Sequence, residues 1–448
     1  MTLLDPLFGW EVTDRIFSDS VRIQRMLDFE RALTAAEARL NVIPKSAGPA
    51  ISSHCKVDLF DLPSIASAAS TAGNLAIPLV KELTKLVAQS DEEASRYVHW
   101  GATSQDVIDT ALVLQLRDAI DVIESELQKL SEKLAQLAQS HRTTALPART
   151  WLQHAVPTVF GLKVAGWLDA MTRHRERLRE TRQRVLVLQF GGAGGTLASL
   201  GSDGLKVALA LAEELGLLLP PVSWHSHRDR IAEVGTTLAL MVGTLGKIAR
   251  DVSLQNQTEV AEVFESAAER RGGSSTMPQK KNPVACAAIL ANANQVPALA
   301  SALLSAMLQE HERGLGGWQA EWNILPELVR RSGGALHHAR EMIDGLQIDS
   351  ARMSQNLDAT HGLIFAEAVA AALAKHIGKQ EAHNLVEQCC RRAIAEKKHL
   401  REILPGIAEI KSRLTPAELD RLFQPLNYLG VANEFIDRTI AASKAERH

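Results

Sequence analysis

Between Thr110 and His141, apolar residues fall at Leu116, Ile120, Ile123, Leu127, Leu130, Leu134 and Leu137, in steps that alternate four and three. The same rhythm recurs from Arg230 to Val252 at Ile231, Val234, Leu238, Met241, Leu245, Ile248 and Val252. A 3.5-residue period is a helix with a narrow apolar seam. At a rise of about 1.5 Å per residue, some thirty residues make a rod of roughly 45 Å. Rods with such seams require near-parallel helical partners. Two further helices are expected, from about 157 to 188 and from about 283 to 311. Alternating strand patterns are scarce, and aromatic residues are only 4% of the chain, a low figure for a sheet protein. The expected fold is all-α. A helical domain over 1–109 precedes a long central bundle over 110–355 and a helical domain over 356–448. The seams are filled either by one another within a monomer or by further copies of the chain, and an oligomer is the expectation.

The 448 residues, 46% of them hydrophobic, suffice for a large core. The 49 Lys+Arg against 52 Asp+Glu leave a formal net charge of −3, which gives no electrostatic case for nucleic acid or an anionic membrane. The four cysteines, Cys55, Cys286, Cys389 and Cys390, have neither metal-ligand spacing nor a disulfide framework, and fit a reducing cytoplasm. The N-terminal stretch lacks the basic-then-apolar pattern of a signal peptide. Uninterrupted apolar windows fall short of about 18 residues, so no membrane span is expected.

Against this helical background stands "RRGGSSTMPQKKNP", residues 270–283. Gly272 and Gly273 permit the backbone to wrap an anion closely. Successive N–H groups and the hydroxyls of Ser274 and Ser275 can donate to it. Lys280 adds a charge and Asn282 an amide, ahead of a helix N-terminus near Pro283. The bland alternative is a mobile surface turn. The stretch "FGGAGGTLASLGSDG" (190–204) lacks the preceding strand and the spacing of a dinucleotide loop, and reads as a helix connection.

"GSSTMPQKKNP" resembles the signature loop of the fumarase/aspartase superfamily, G-S-S-x-M-P-x-K-x-N. "HWGATSQD" (99–106) is similar to that family's carboxylate-binding G-x-T-S-x-D block, and "ARTWLQHAVPTVFG" (148–161) to its R-T-H-x-x-x-A-x-P block. The segment from Ile377 to Leu404 resembles the last domain of adenylosuccinate lyase. The resemblance implies a three-domain helical subunit and a homotetramer whose active sites each draw on three subunits. It assigns the catalytic base to Ser274, with Ser275 as fallback. Lys280 and Asn282 would hold the carboxylate beside the reacting carbon, while Thr103 and Ser104 grip another.

Two departures concern the leaving group. Where the family has His after R-T, this chain has Trp151, and where it has Glu five residues after the loop's Asn, this chain has Ala287. In relatives those two form the dyad that protonates the departing group. A carboxylate, with a pKa near 4, departs as the anion and needs no acid. Loss of an internal carboxylate is the opening of a lactone. The superfamily has a branch with that chemistry, acting on 3-carboxy-cis,cis-muconate in the catabolism of protocatechuate, and the sequence resembles it.

The expected ligand is therefore a small tricarboxylate, with no cofactor and no metal. "HSH" (225–227) offers no third ligand, and Arg228 and Arg230 beside it serve either the anionic site or a charged turn. Arg313 is a candidate for the third carboxylate. Trp151 is a candidate wall over the conjugated diene, and Asn74 stands where adenylosuccinate lyases have a catalytic His-Asp segment. Trp318 and Trp322 either face the substrate or pack between helices. His154 and His99 are candidate proton carriers or carboxylate partners, each with an ordinary structural role as the alternative. Two other readings stay open: an amine-releasing lyase, in which His154 would supply the proton, and a decayed family member with a structural role.

Overall fold

The computed structural model describes residues 3–266, 272–274, 276–277 and 279–445. Eight helices carry the argument: α1 (Asp19–Arg39), α2 (Ser104–Ser140), α3 (Phe160–Val185), α4 (Asp229–Gln255), α5 (Val284–Ala306), α6 (Gly317–Asp344), α7 (Ala366–Ile377) and α8 (Lys379–Glu396). The two heptad stretches fall within α2 and α4. Every seam residue in them is at most 2% exposed, except Leu137, where the seam moves to Ala138. Burying each such Leu or Ile contributes about 1.5–3 kcal/mol relative to exposure. The expected third and fourth helices are α3 and α5. Helix α6 interrupts its apolar pattern with Gly333 and Gly334, which blurred its outline in the sequence.

Contacts divide the chain into two compact units whose segments interleave. Unit 1 comprises Met1–Leu127, His174–Gly246 and Ala288–His338; unit 2 comprises Gln128–Arg173, Lys247–Ala287 and Ala339–His448. In unit 1, α4 approaches α5 closely. A Cβ at Gly235 would lie 2.6 Å from Leu303 Cδ1. In unit 2, α7 and α8 enclose a core that includes Leu357, Phe365, Val369, Leu373, Val386 and Leu404.

The chain is not wholly helical. Strands β1 (Ala145–Thr150) and β2 (Gln153–Val159) form an antiparallel hairpin, and β3 (Val263–Phe264) pairs with β4 (Gln347–Ile348). Pro147 and Pro157 face each other in the hairpin. Proline is tolerated because a two-stranded ribbon is all edge.

Helices α4 and α5 have the length and hydropathy of membrane spans by composition alone. Their apolar runs are interrupted, in α4 by Glu233 and Lys247 and in α5 by Asn292, Asn294 and Gln295. Of the apolar window of α4, 61% is buried inside the chain; of that of α5, only 33%.

Candidate active site

In unit 1 the block 99–106 forms the entry to α2. Thr103 N donates to Asp106 Oδ2 at 3.0 Å, an acidic cap that starts the helix. Asp106 also accepts from Gly191 N (3.0 Å) and Gly192 N (2.9 Å), and its Oδ1 lies 2.7 Å from His225 Nε2. The Gly-rich stretch thus does more than connect helices, because Asp106 ties it to the Thr103 loop. His225 is committed to that carboxylate.

Arg313 crosses the same place. Its Nη1 donates to Thr103 Oγ1 at 3.1 Å, and its Nη2 to the carbonyls of Gly192 (3.3 Å) and Ala193 (3.1 Å). Three neutral oxygens orient this half-buried guanidinium, and no described carboxylate neutralises it. Arg228 is the opposite case. It is 2% exposed and bonded through both edges to Asp109 and Glu321, so it does not serve an anionic ligand. Arg230 donates to the Arg184 carbonyl at the surface. Trp318 is buried, donates to Asp109 and packs edge-on against Trp322 with ring centroids 4.9 Å apart, so Trp318 is held between helices. Asn74 Oδ1 accepts from Ala76 N and Ile77 N and so caps the helix Ala76–Ser90. His99 Nδ1 lies 2.6 Å from Glu30 Oε1 on α1. Ser104 opens α2, partly buried.

In unit 2 the hairpin carries Arg149, Trp151 and His154. Arg149 holds Glu262 in a two-bond fork (2.9 and 2.6 Å), and Asn356 adds a third bond to that buried carboxylate. Arg149 is therefore a structural cation. His154 Nδ1 is buried without a hydrogen-bond partner. Burial and then the charge of Arg149 hold its pKa below the ordinary histidine value, against an opposing pull from Glu262. The turn is Trp151–Leu152, with φ of 51° and 65° and exposures of 97% and 78%. Two-residue turns of this kind favour Asn-Gly, so both side chains are held in strained backbone at the tip. Backbone strain of this kind marks a place to look for function.

The loop residues lie in the same unit. Gly272 has a φ of 70°, and a Cβ there would sit 2.3 Å from Asn282 O, so only glycine allows Asn282 N to bond Gly272 O at 2.7 Å. Ser274 Oγ accepts from Met277 N (3.0 Å) and Thr276 N (3.3 Å). Lys280 is exposed, with no described carboxylate partner, and Ser275 lies outside the described residues. Asn282 and Lys281 line a 260 Å³ cavity with Glu265, Ser266, Asn256 and Gln347. One expectation needs correcting. The N-terminus of α5 is not open to an anion, because Glu265 already accepts from Ala285 N (3.0 Å) and Cys286 N (2.7 Å). A negative side chain at that positive end is a stable local arrangement.

The structure thus joins Thr103 to Arg313 in unit 1, and joins the ends of the 272–282 loop in unit 2. The sequence did not point to Glu30, Glu262 or Glu265, and it raised His225 only as part of a metal set without a third ligand. Only Asp106, three residues after Thr103, carried a local signal, that of a capping residue.

A family model described as "Lyase" matches residues 11–298, and one described as "Adenylosuccinate lyase C-terminus" matches 362–439. The chain is 54% identical to a 3-carboxy-cis,cis-muconate cycloisomerase of Pseudomonas aeruginosa, over 99% of this chain and 96% of that one. It is 53% identical to the same-named protein of Bradyrhizobium diazoefficiens, over 98% and 97%. Among solved structures, a 3-carboxy-cis,cis-muconate lactonizing enzyme from Pseudomonas putida superposes with a TM-score of 0.95 at 50% identity, covering 100% of both chains.

Proposed function

This chain belongs to the lyase family of the fumarase/aspartase superfamily, and from that membership we propose that it interconverts 3-carboxy-cis,cis-muconate and its carboxymuconolactone. In the lactone-forming direction a substrate carboxylate oxygen adds to one carbon of a C=C bond, and the π pair takes up a proton at the next carbon. In reverse a base removes that proton, and the carboxylate departs with the C–O pair. The step belongs to aromatic-acid catabolism.

We assign the proton to Ser274. The two N–H groups on its Oγ are placed to stabilise an alkoxide, which is what a serine base needs. Lys280 and Asn282 hold the carboxylate beside the reacting carbon, where negative charge grows. Thr103, Ser104, Arg313 and His99 hold the others, Asn74 borders the site, and Trp151 covers the diene. Ser275 is the reserve base. The observation that carries the reading is Arg313, a charge oriented by neutral oxygens and left for an anionic ligand. No cofactor is needed.

The amine-releasing alternative asks His154 for a proton. With its pKa below the ordinary value, that ring is uncharged at neutral pH and a poor acid. In this reading His154 is a proton carrier that works from its neutral form.

The enzyme works in the cytoplasm as a homotetramer, with sites that draw on three subunits and the consecutive domains 1–109, 110–355 and 356–448. The exposed face of α5 supports this, since other copies of the chain would cover it. Sedimentation should return four chains. The function itself is tested by adding 3-carboxy-cis,cis-muconate to the purified protein. Loss of diene absorbance with one lactone product in the proton spectrum is expected; an unchanged spectrum refutes the reading.

A further inference from the structure

His99 sits in the loop before α2 with its backbone in the left-handed region, φ 58°. Its ring is 16% exposed, while its partner Glu30 is fully buried. Glu30 takes up Nδ1 at 2.6 Å, and among the described residues Nε2 has no hydrogen-bond partner. Free imidazole offers either nitrogen as its donor. A carboxylate on Nδ1 removes that freedom and reserves Nε2 for a ligand.

We propose that Glu30 is a positioning residue of the active site: it locks Nδ1 of His99 so that Nε2–H is offered, as a cationic donor, to a substrate carboxylate beside Thr103 and Arg313. This deepens the reading above and rests on it. A tricarboxylate calls for three cationic contacts, and the candidate residues supply Arg313, Lys280 and, once charged, His99.

The electrostatics agree with this geometry. Burial opposes charge on the ring, yet the charge and hydrogen bond of Glu30, with a smaller contribution from Asp106, hold its pKa above the ordinary histidine value. Asp106 faces it from the first turn of α2 and is itself satisfied by three N–H groups and His225. Further along α1, Glu37 is pushed up to about 9 by burial and by the charge on Glu30, so it stays neutral at pH 7. Glu30 is therefore the group that sets the ring's charge.

Glu30→Gln keeps the shape and removes the charge; Glu30→Asp keeps the charge and serves as the test if the glutamine variant does not fold. Protonation of His99 is read without substrate, from the pH dependence of its carbethoxylation by diethyl pyrocarbonate, followed on the His99 peptide by mass. In Glu30→Gln the midpoint should fall by about one pH unit or more, and KM at pH 7.5 should rise about tenfold with kcat nearly unchanged. The alkaline rise of KM should begin at correspondingly lower pH, and Glu30→Asp should recover most of the affinity. An unmoved midpoint overturns the inference. So does a moved midpoint with a wild-type KM profile, which would leave a buried pair with no part in binding. A wild type inactive on the muconate would sink the functional reading alone. Calorimetric binding of propane-1,2,3-tricarboxylate to wild type and Glu30→Gln would then decide the inference, and equal affinities would refute it.

Discussion

Arg313 donates to the hydroxyl of Thr103 at 3.1 Å across 210 positions of sequence, and no described carboxylate competes for its charge. Nearby Arg228 is fully neutralised by Asp109 and Glu321. On the proposed reading one arginine is kept for a ligand and the other for the fold. Replacing Arg313 by Ala should therefore raise KM strongly and leave the melting temperature nearly unchanged. A charge-assisted hydrogen bond is worth about 1.5–3 kcal/mol, or roughly a tenfold to hundredfold loss in kcat/KM. Thr103→Val should cost less, and the double variant should show clear non-additivity, because the two groups act together. Simple addition of the two losses would mean that the observed bond plays no part in binding.

The loop makes a separate prediction. Ser274→Ala should abolish turnover while the protein stays folded, since it removes the proposed base and leaves its two N–H donors to water. Lys280→Ala and Asn282→Ala should lower kcat as well as affinity, because the carboxylate we assign to them gains charge in the transition state. If only KM rose, the proposed enolate stabilisation would be wrong.

How far the sequence could reach follows from distance along the chain. Helices α2 and α4 were legible because burial repeats every seven residues and each seam residue reports the same fact. The 272–282 loop was legible because its glycines, serines and amide are contiguous. The partners of those residues were not. Glu30 lies 69 positions from His99, His225 lies 119 from Asp106, and Glu262 lies 113 from Arg149. Each partner sits in ordinary amphipathic or polar surroundings, and only the fold selects it. The α5 N-terminus read as an open anion site for the same reason, since Glu265 reaches it from 20 positions upstream. The hairpin was hidden by its two prolines, which argue against a strand wherever the strand's neighbours are unknown.

That hairpin supplies a third prediction. Non-glycine residues in the left-handed region cost about 1–2 kcal/mol each. Leu152→Gly should therefore stabilise the protein by about 1 kcal/mol, read from urea unfolding, since φ there is 65°. Trp151→Asn should also relieve strain at φ 51°, yet lower activity, because on the proposed reading this indole covers the diene. A Trp151→Asn enzyme with full activity would show the exposed ring to be incidental.

On the proposed reading the leaving group is a carboxylate and needs no acid. Trp151 and Ala287, both exposed in the single chain, occupy the positions where the superfamily pattern has the His and Glu that would supply one. Restoring that dyad with Trp151→His and Ala287→Glu gives the sharpest comparison. A new carboxylate beside a substrate with three of its own is repelled by roughly 2.8 kcal/mol per charge pair at about 6 Å and an effective dielectric near 20. The measurement is kcat for lactone formation at saturating 3-carboxy-cis,cis-muconate, in wild type and the double variant. The double variant should be slower; a higher kcat would show that proton donation limits the reaction and that the departing carboxylate does need an acid.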